Sequence, residues 1–265
     1  MAAGYLAHVL SVAVAVFGAP APPTTSDEYV TALNQVRPRL RAEARAWDGT
    51  GAVPDALAAD ALYEQRLVLA LADRKRLRAT VLPQLDPAER PTVADEVRAQ
   101  VALSRLSAGY PARRHYDSGP AEPAADLWSY YETARTRFGV TRELLAAVNF
   151  VETDFNRLQN NSHAGAQGPM QFIPATWKAY GMGGDVHDPH DAILGAANYL
   201  HANGAPADDS GALYHYNPSL LYVKAVRRYA RRMTTPAGFR AFYARSLFVR
   251  KPGGGRRRLT GPEVE

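Results

Sequence analysis

Glu152 stands at the end of the apolar run Leu144-Leu145-Ala146-Ala147-Val148-Asn149-Phe150-Val151, just ahead of a glycine-rich polar stretch. Leu145, Val148 and Glu152 recur at helical spacing, which predicts that the carboxylate projects from the face that enters a core. A carboxyl held against apolar surface loses solvation of its charged form. Its pKa rises, and it keeps a proton near neutral pH. Such a group can act as the general acid that glycoside cleavage requires. The competing reading is a helix-end glutamate that reaches solvent. The residues that follow weigh against it.

From Asn160 the chain reads Asn160-Asn161-Ser162-His163-Ala164-Gly165-Ala166-Gln167-Gly168-Pro169-Met170-Gln171-Phe172-Ile173-Pro174. Gly165, Gly168 and the short polar residues make a loop whose backbone can approach a ligand closely. Gln171 offers both a donor and an acceptor, and Met170 and Phe172 offer apolar surface. Met170 can equally be a core filler, a common use of that side chain. Further on, Tyr216-Asn217 follows Leu213-Tyr214-His215.

This ordered set of Glu152-Thr153, Gly168-Pro169-Met170-Gln171 and His215-Tyr216-Asn217 resembles the lytic transglycosylase family, across about Asp126 to Met233. Each piece alone is a weak signal, and all of them in order make a strong one. Thr153 stands where the family has serine, Pro169 where leucine is common, and His215 where alanine precedes Tyr-Asn. None of these removes a group that the chemistry needs. The resemblance implies an all-α, goose-type lysozyme-like domain that cleaves bacterial peptidoglycan between N-acetylmuramic acid and N-acetylglucosamine. It implies Glu152 as the catalytic acid and base, with the muramic acid acetamido oxygen assisting and a 1,6-anhydro ring as product. Tyr216 would hydrogen-bond near the carboxyl and Asn217 would orient the acetamido group. Gln171 and the Gly165–Gly168 backbone would line the groove, with apolar contact from Met170 and Phe172. Ser162 matches a family serine close to the acetamido group or the glutamate. Two alternatives stand beside this reading. A hydrolytic muramidase of the same fold would need a second carboxylate, for which Asp185 and Asp188 are the nearest acids in sequence. A wall-binding module without catalysis would not need Glu152.

The rest of the 265-residue chain must position these groups. It has 46% hydrophobic residues, a formal charge of +5 and no cysteine. The length suits one large or two small domains. The missing cysteine excludes disulfides and thiol catalysis. The mild basic excess favours contact with anionic wall polymer or serves solubility alone. No nucleic-acid module is recognisable, and no cofactor is expected. The His187-Asp188-Pro189-His190-Asp191 stretch matches no zinc or calcium spacing, and helix capping explains most of it, so no metal is expected.

Residues 1–25 read as a signal peptide or N-terminal anchor, an apolar run that breaks at Pro20, Pro22 and Pro23. Location outside the cytoplasmic membrane, secreted or envelope-associated, follows from that reading and the resemblance. Residues 26–107 read as a helical accessory region. Ser26-Asp27 caps a helix to about Trp47, interrupted near Pro38. A second helix runs from Pro54 to about Leu82, and Pro91 opens a third with Val93, Val97 and Val101 on one face. Residues 108–125 form a Pro/Gly-rich linker, residues 126–248 the catalytic domain and residues 249–265 a flexible basic tail. Within the catalytic domain Asp126, Thr141, Asp188 and Ser219 are expected N-caps, and Gly139 a helix stop. Tyr222, Val223, Val226, Ala230 and Met233 are expected as the buried stripe of the last main helix. No strand-like alternation of useful length is seen.

Overall fold

The computed structural model describes residues 20–261, and residues 1–19 of the leader expected over 1–25 lie outside them. Helix α1 (Ser26–Ala46) opens with a capping box one residue earlier than expected. Thr25 Oγ1 accepts from the Glu28 amide, and Glu28 Oε2 accepts from the Thr25 amide. Both orphan donors are thereby satisfied, which neither Ser26 nor Asp27 achieves from its own position. Pro38 is absorbed inside the helix without a break. The helix expected from Pro54 to Leu82 is instead two: α2 (Asp55–Asp73) and α3 (Lys75–Gln84). Arg74 turns the chain between them at φ −110 and ψ 93, and the Arg78 guanidinium caps the Leu71 and Ala72 carbonyls. Helix α4 (Arg90–Ser107) carries Pro91 in its first turn, as expected. These four helices enclose Tyr29, Leu33, Val36, Leu67, Leu71, Val93 and Val97.

The second half supplies α5 (Ala124–Phe138), α6 (Arg142–Thr153), α7 (Pro174–Tyr180), α8 (Pro189–Ala202), α9 (Asp209–Tyr216), α10 (Leu220–Ala230) and α11 (Pro236–Tyr243). Helix α5 begins two residues before Asp126, behind Pro123, so Asp126 serves as an acidic first-turn residue and not as the cap. Gly139 ends it in the left-handed region. Thr141 is the N-cap residue of α6 but its side chain makes no capping bond. Asp188 and Ser219 cap α8 and α10 through their side chains. Helix α6 lies in the middle and packs on α5, α8 and α10. Its Leu144, Leu145, Ala146, Ala147 and Val148 are all buried. The all-α architecture agrees with the expected lysozyme-like class.

The first-half helices are not a detachable accessory. Leu40, Ala44, Leu57, Ala61, Ala99 and Ala102 enter the same core as α6, and α4 lies along α10. A buried ionic network strengthens that union. Arg245, just past α11, binds Glu64 of α2 at 2.6 Å and Glu96 of α4. Arg37 of α1 binds Glu64, Glu96 and Glu89. Burial alone would raise the Glu96 carboxyl, but Arg245, Arg37 and Arg232 around it bring it down to about 2.

The expected flexible tail is largely a hairpin. Strand β1 (Leu247–Arg250) pairs antiparallel with β2 (Arg256–Thr260), with Val249 opposite Arg257. Gly253, Gly254 and Gly255 turn the chain at φ 83, 109 and 72, a region that glycine enters without a Cβ clash. Arg250 donates to the Ser107 and Tyr110 carbonyls, and Arg256 binds Asp73 and Ser104. Arg250 and Arg256 are thus spent on α2, α4 and the chain after them, and Arg258 donates to Ser246 Oγ. Among the described residues no helix is long and apolar enough to cross a membrane.

Removing one partner of a buried ion pair strands the other, at a cost of about 3–5 kcal/mol. Arg245→Met is expected to lower unfolding stability by that amount in urea titrations. Asp73→Asn, at a half-exposed pair, is expected to cost at most about 1 kcal/mol.

Candidate active site

Helix α6 delivers Glu152 in its last turn, partly buried at the edge of the core. The Tyr222 hydroxyl donates to Glu152 Oε1 at 2.7 Å. Burial pushes the Glu152 carboxyl up to about 7, and the Tyr222 hydrogen bond opposes this by favouring the carboxylate. Those are the two causes acting on Glu152 among the described residues. The Tyr222 phenol is itself held well above its usual pKa by burial and then by the nearby Glu152, so it stays a donor.

Tyr216 does not make the carboxyl contact expected of it. Its hydroxyl donates to the Met170 carbonyl at 2.6 Å, and its ring lies parallel to Tyr222, 6.4 Å between centroids. Tyr216 therefore supports the residue that touches Glu152 and ties α9 to the loop. Tyr222 was visible in the sequence only as part of an apolar stripe. The signal that could have singled it out is a phenol on a stripe whose other members are aliphatic or methionine, because a buried hydroxyl needs a partner.

Directly after Glu152 the chain leaves the helix. Asp154, Phe155 and Asn156 are successive left-handed residues, at φ 52, 59 and 73. Asn149, one turn before Thr153, holds this reversal. Its amide donates to Asn156 Oδ1 at 3.0 Å and to the Pro169 carbonyl at 3.1 Å, and its oxygen accepts from Tyr131 at 2.7 Å. Thr153 Oγ1 donates to the same Pro169 carbonyl at 2.7 Å. The hydroxyl that threonine shares with serine is thus the tether between the helix end and the glycine loop. Asn149 was missed as a functional residue, although a lone amide inside a buried apolar run is the signal for one. Asp154 is buried beside Arg157 with neither oxygen hydrogen-bonded, and burial raises it to about 6.

The loop itself is built by its polar residues. Ser162 Oγ accepts from the Ala164 and Ala166 amides, so the side chain folds the loop locally. Gln167 and Phe172 exchange backbone hydrogen bonds, and Gln171 donates to the Gly168 and Asn160 carbonyls. Gly168 sits at φ 71, and a Cβ there would come within 1.9 Å of the Val186 carbonyl. Gly165, at φ 80, has open space where a Cβ would go. Met170 is fully buried and Phe172 nearly so, packed on Trp177 and Tyr216. Neither offers the open apolar surface expected of a groove wall, because each fills the core beneath the loop. Asn217 caps α9 through its backbone and stays partly exposed, its side chain without a hydrogen-bond partner among the described residues.

The expected linker also reaches the site. Gly119 donates to the Arg157 carbonyl, Gln159 to the Asp117 carbonyl, and Asp117 and Asn160 bond through backbone and side chain. Residues 117–119 thereby run beside the segment that follows the reversal. Asp188, His190 and Asp191 come together with ligand atoms within 4.8 Å. Asp188 is engaged in capping the Asp191 amide, and Asp191 accepts from the Asp185 amide. The arrangement is helix-cap chemistry.

A partly buried glutamate at a helix end, its pKa raised to about 7, braced by tyrosines and faced by a glycine loop, has the chemistry of a general acid. Residues 129–235 match the family model for the Transglycosylase SLT domain, and that stretch holds Glu152, the loop, Tyr216, Asn217 and Tyr222. The likeness to that domain covers residues 129–235 of the chain. It is 33% identical over 127 residues to membrane-bound lytic murein transglycosylase B of Escherichia coli K12, covering 46% of this chain. It spans only 29% of the length of that relative. No solved structure matches the chain.

The Glu152 carboxyl is expected to titrate near 7 by carbon-detected NMR, and Tyr222→Phe to move that titration upward. The folded pKa lies above the ordinary carboxyl value of 4.5. Glu152 therefore contributes stability that is present below 4.5 and lost as pH rises through 7. Glu152→Gln removes this loss. Its stability relative to wild type is expected to improve between pH 4.5 and 8 by about 3 kcal/mol, given about 1.4 kcal/mol per pKa unit.

Proposed function

We propose that this chain is a peptidoglycan lytic transglycosylase acting on the β-1,4 bond between N-acetylmuramic acid and N-acetylglucosamine, with Glu152 as its single catalytic carboxyl. The observation that carries the reading is a carboxyl raised to about 7 by burial, bound to one phenol and influenced by no second acid. Protonated Glu152 gives its proton to the glycosidic oxygen as the C1–O4 bond breaks, and the 2-acetamido oxygen stabilises the charge at C1. The ionised carboxylate then takes the C6 hydroxyl proton, O6 bonds to C1, and the 1,6-anhydro ring closes. Glu152 ends protonated as it began, and no water is consumed.

Tyr222 holds the carboxyl in place while it changes charge. The unpartnered Asn217 amide is suited to receive the acetamido group. The Ser162-to-Gln171 backbone, braced by its own hydrogen bonds, forms one wall of the groove. A retaining or inverting hydrolase would need a second carboxylate across the sugar. Asp185 and Asp188 accept from the His187 and Asp191 amides and fold the α8 entry. The proposed substrate and the membrane-bound character that the E. coli relative's name gives it support a cell-envelope location, with glycan strands as the partner.

Digestion of purified peptidoglycan, followed by mass spectrometry of the muropeptides, tests this. Wild type is expected to release products one water lighter than hydrolytic ones. Glu152→Gln is expected to lose about 10²–10⁴-fold in rate, the range for general acid–base catalysis. The wild-type rate should fall as pH rises above about 7, where the acid is lost. Full-mass reducing-end products would instead identify a muramidase.

A further inference from the structure

A cavity of about 180 Å³ lies between α1, the end of α10 and the start of α11, well away from Glu152. Arg37, Arg41, Arg45, Arg231, Arg232 and Arg245 line it, against Glu64 and Glu96. Most of this charge is accounted for. Arg37 and Arg245 serve the buried network, Arg41 binds Glu89, and Arg231 binds Asp95. One cation is left without a partner and another is only loosely held. Arg45 has no ion-pair or hydrogen-bond partner among the described residues. Arg232 stands 3.7 Å from Glu96, a carboxylate already bound to two other arginines. The Arg232 Nε is buried and unbonded, and burial draws the guanidinium below its ordinary pKa. Arg245, 3% exposed, also lines the cavity and keeps an unbonded Nε.

The backbone adds to this field. Thr234, Thr235, Ala237 and Gly238 also line the cavity, so it includes the N-terminal turn of α11. Thr235 caps the Gly238 amide, and the Ala237 amide has no acceptor. Gly238 lets the Arg232 carbonyl come close, since a Cβ there would meet that oxygen at 2.2 Å. That contact fixes the backbone of Arg232 beside the helix start. A helix N-terminus together with convergent guanidinium groups is the arrangement that holds a tetrahedral oxyanion.

We propose that this pocket binds a phosphate group, seated by Arg232 and Arg45 with the Ala237 amide. Its source is either a free phosphate or a phosphodiester in a polymer, and the two share this chemistry. Tyr222 lies near the start of α10 and Arg232 two residues past its end at Ala230, so the helix alone separates the pocket from the carboxyl site by roughly 12 Å at the helical rise. Phosphate occupancy and glycan cleavage are therefore separable.

The full chain would be titrated at constant ionic strength with inorganic phosphate and, separately, with a glycerophosphodiester, while amide chemical shifts are followed. Saturable shifts at Ala237 and Gly238 are expected. Arg45→Gln with Arg232→Gln should weaken binding about tenfold or more, a factor worth about 1.4 kcal/mol. Arg45→Gln alone, an exposed change that leaves the network intact, should weaken it in the same direction. Glu152→Gln should bind as wild type does. Tighter binding of the diester identifies a polymer as the source, and tighter binding of inorganic phosphate identifies the free ion. The absence of saturable binding by either probe would overturn the pocket, as would binding that both arginine variants leave unchanged.

Discussion

The constraint on which this molecule turns is that the chain must leave α6 immediately after Glu152. A helix carried further would cover the carboxyl with its own next turn and move the glycine loop away. The exit uses successive non-glycine residues in the left-handed region, each costing about 1–2 kcal/mol. Buried bonds offset that cost. The Asn149 amide, the Thr153 hydroxyl and the Pro169 carbonyl close a small polar cluster inside the apolar core, and Phe155 is driven fully under it. Position and proton affinity are thus set together, because the packing that compels the turn also removes water from the carboxyl.

Two further layers hold this arrangement. Tyr216 and Tyr222 stack at the mouth of the site, one hydroxyl on the Met170 carbonyl and the other on Glu152. Behind them, α10 bears on α4 along its length, and the Arg–Glu network joins α1, α2 and α4 to the end of α11. The region around Glu152 therefore rests on the first-half helices as on a second wall of its own core.

Much of this could be read from the residues alone. Asp188-Pro189, Ser219 and Gly139 punctuate helices by local backbone chemistry, and local chemistry is visible in sequence. Glu152 was visible because periodicity aimed it inward. What escaped depends on partners distant in the chain. Tyr222 looks like core until Glu152, seventy positions earlier, is placed beside its hydroxyl. Met170 and Phe172 look like groove surface until the loop folds over them. The arginines of the hairpin look solvated until Asp73, Ser104 and Ser107 meet them. The break at Arg74 carries neither glycine nor proline, and the pairing of residues 117–119 with 157–159 carries no periodic mark.

The position of Arg245 in the chain sets an order of assembly. Glu64 and Glu96 are made early in synthesis, and both are destined for full burial. One of their counterions, Arg37, precedes them, but the other is joined to the chain almost two hundred residues after Glu64. Until Arg245 arrives, the first four helices hold more buried negative charge than they can neutralise. Charge balance in their core therefore depends on a residue 181 positions further along the chain than Glu64.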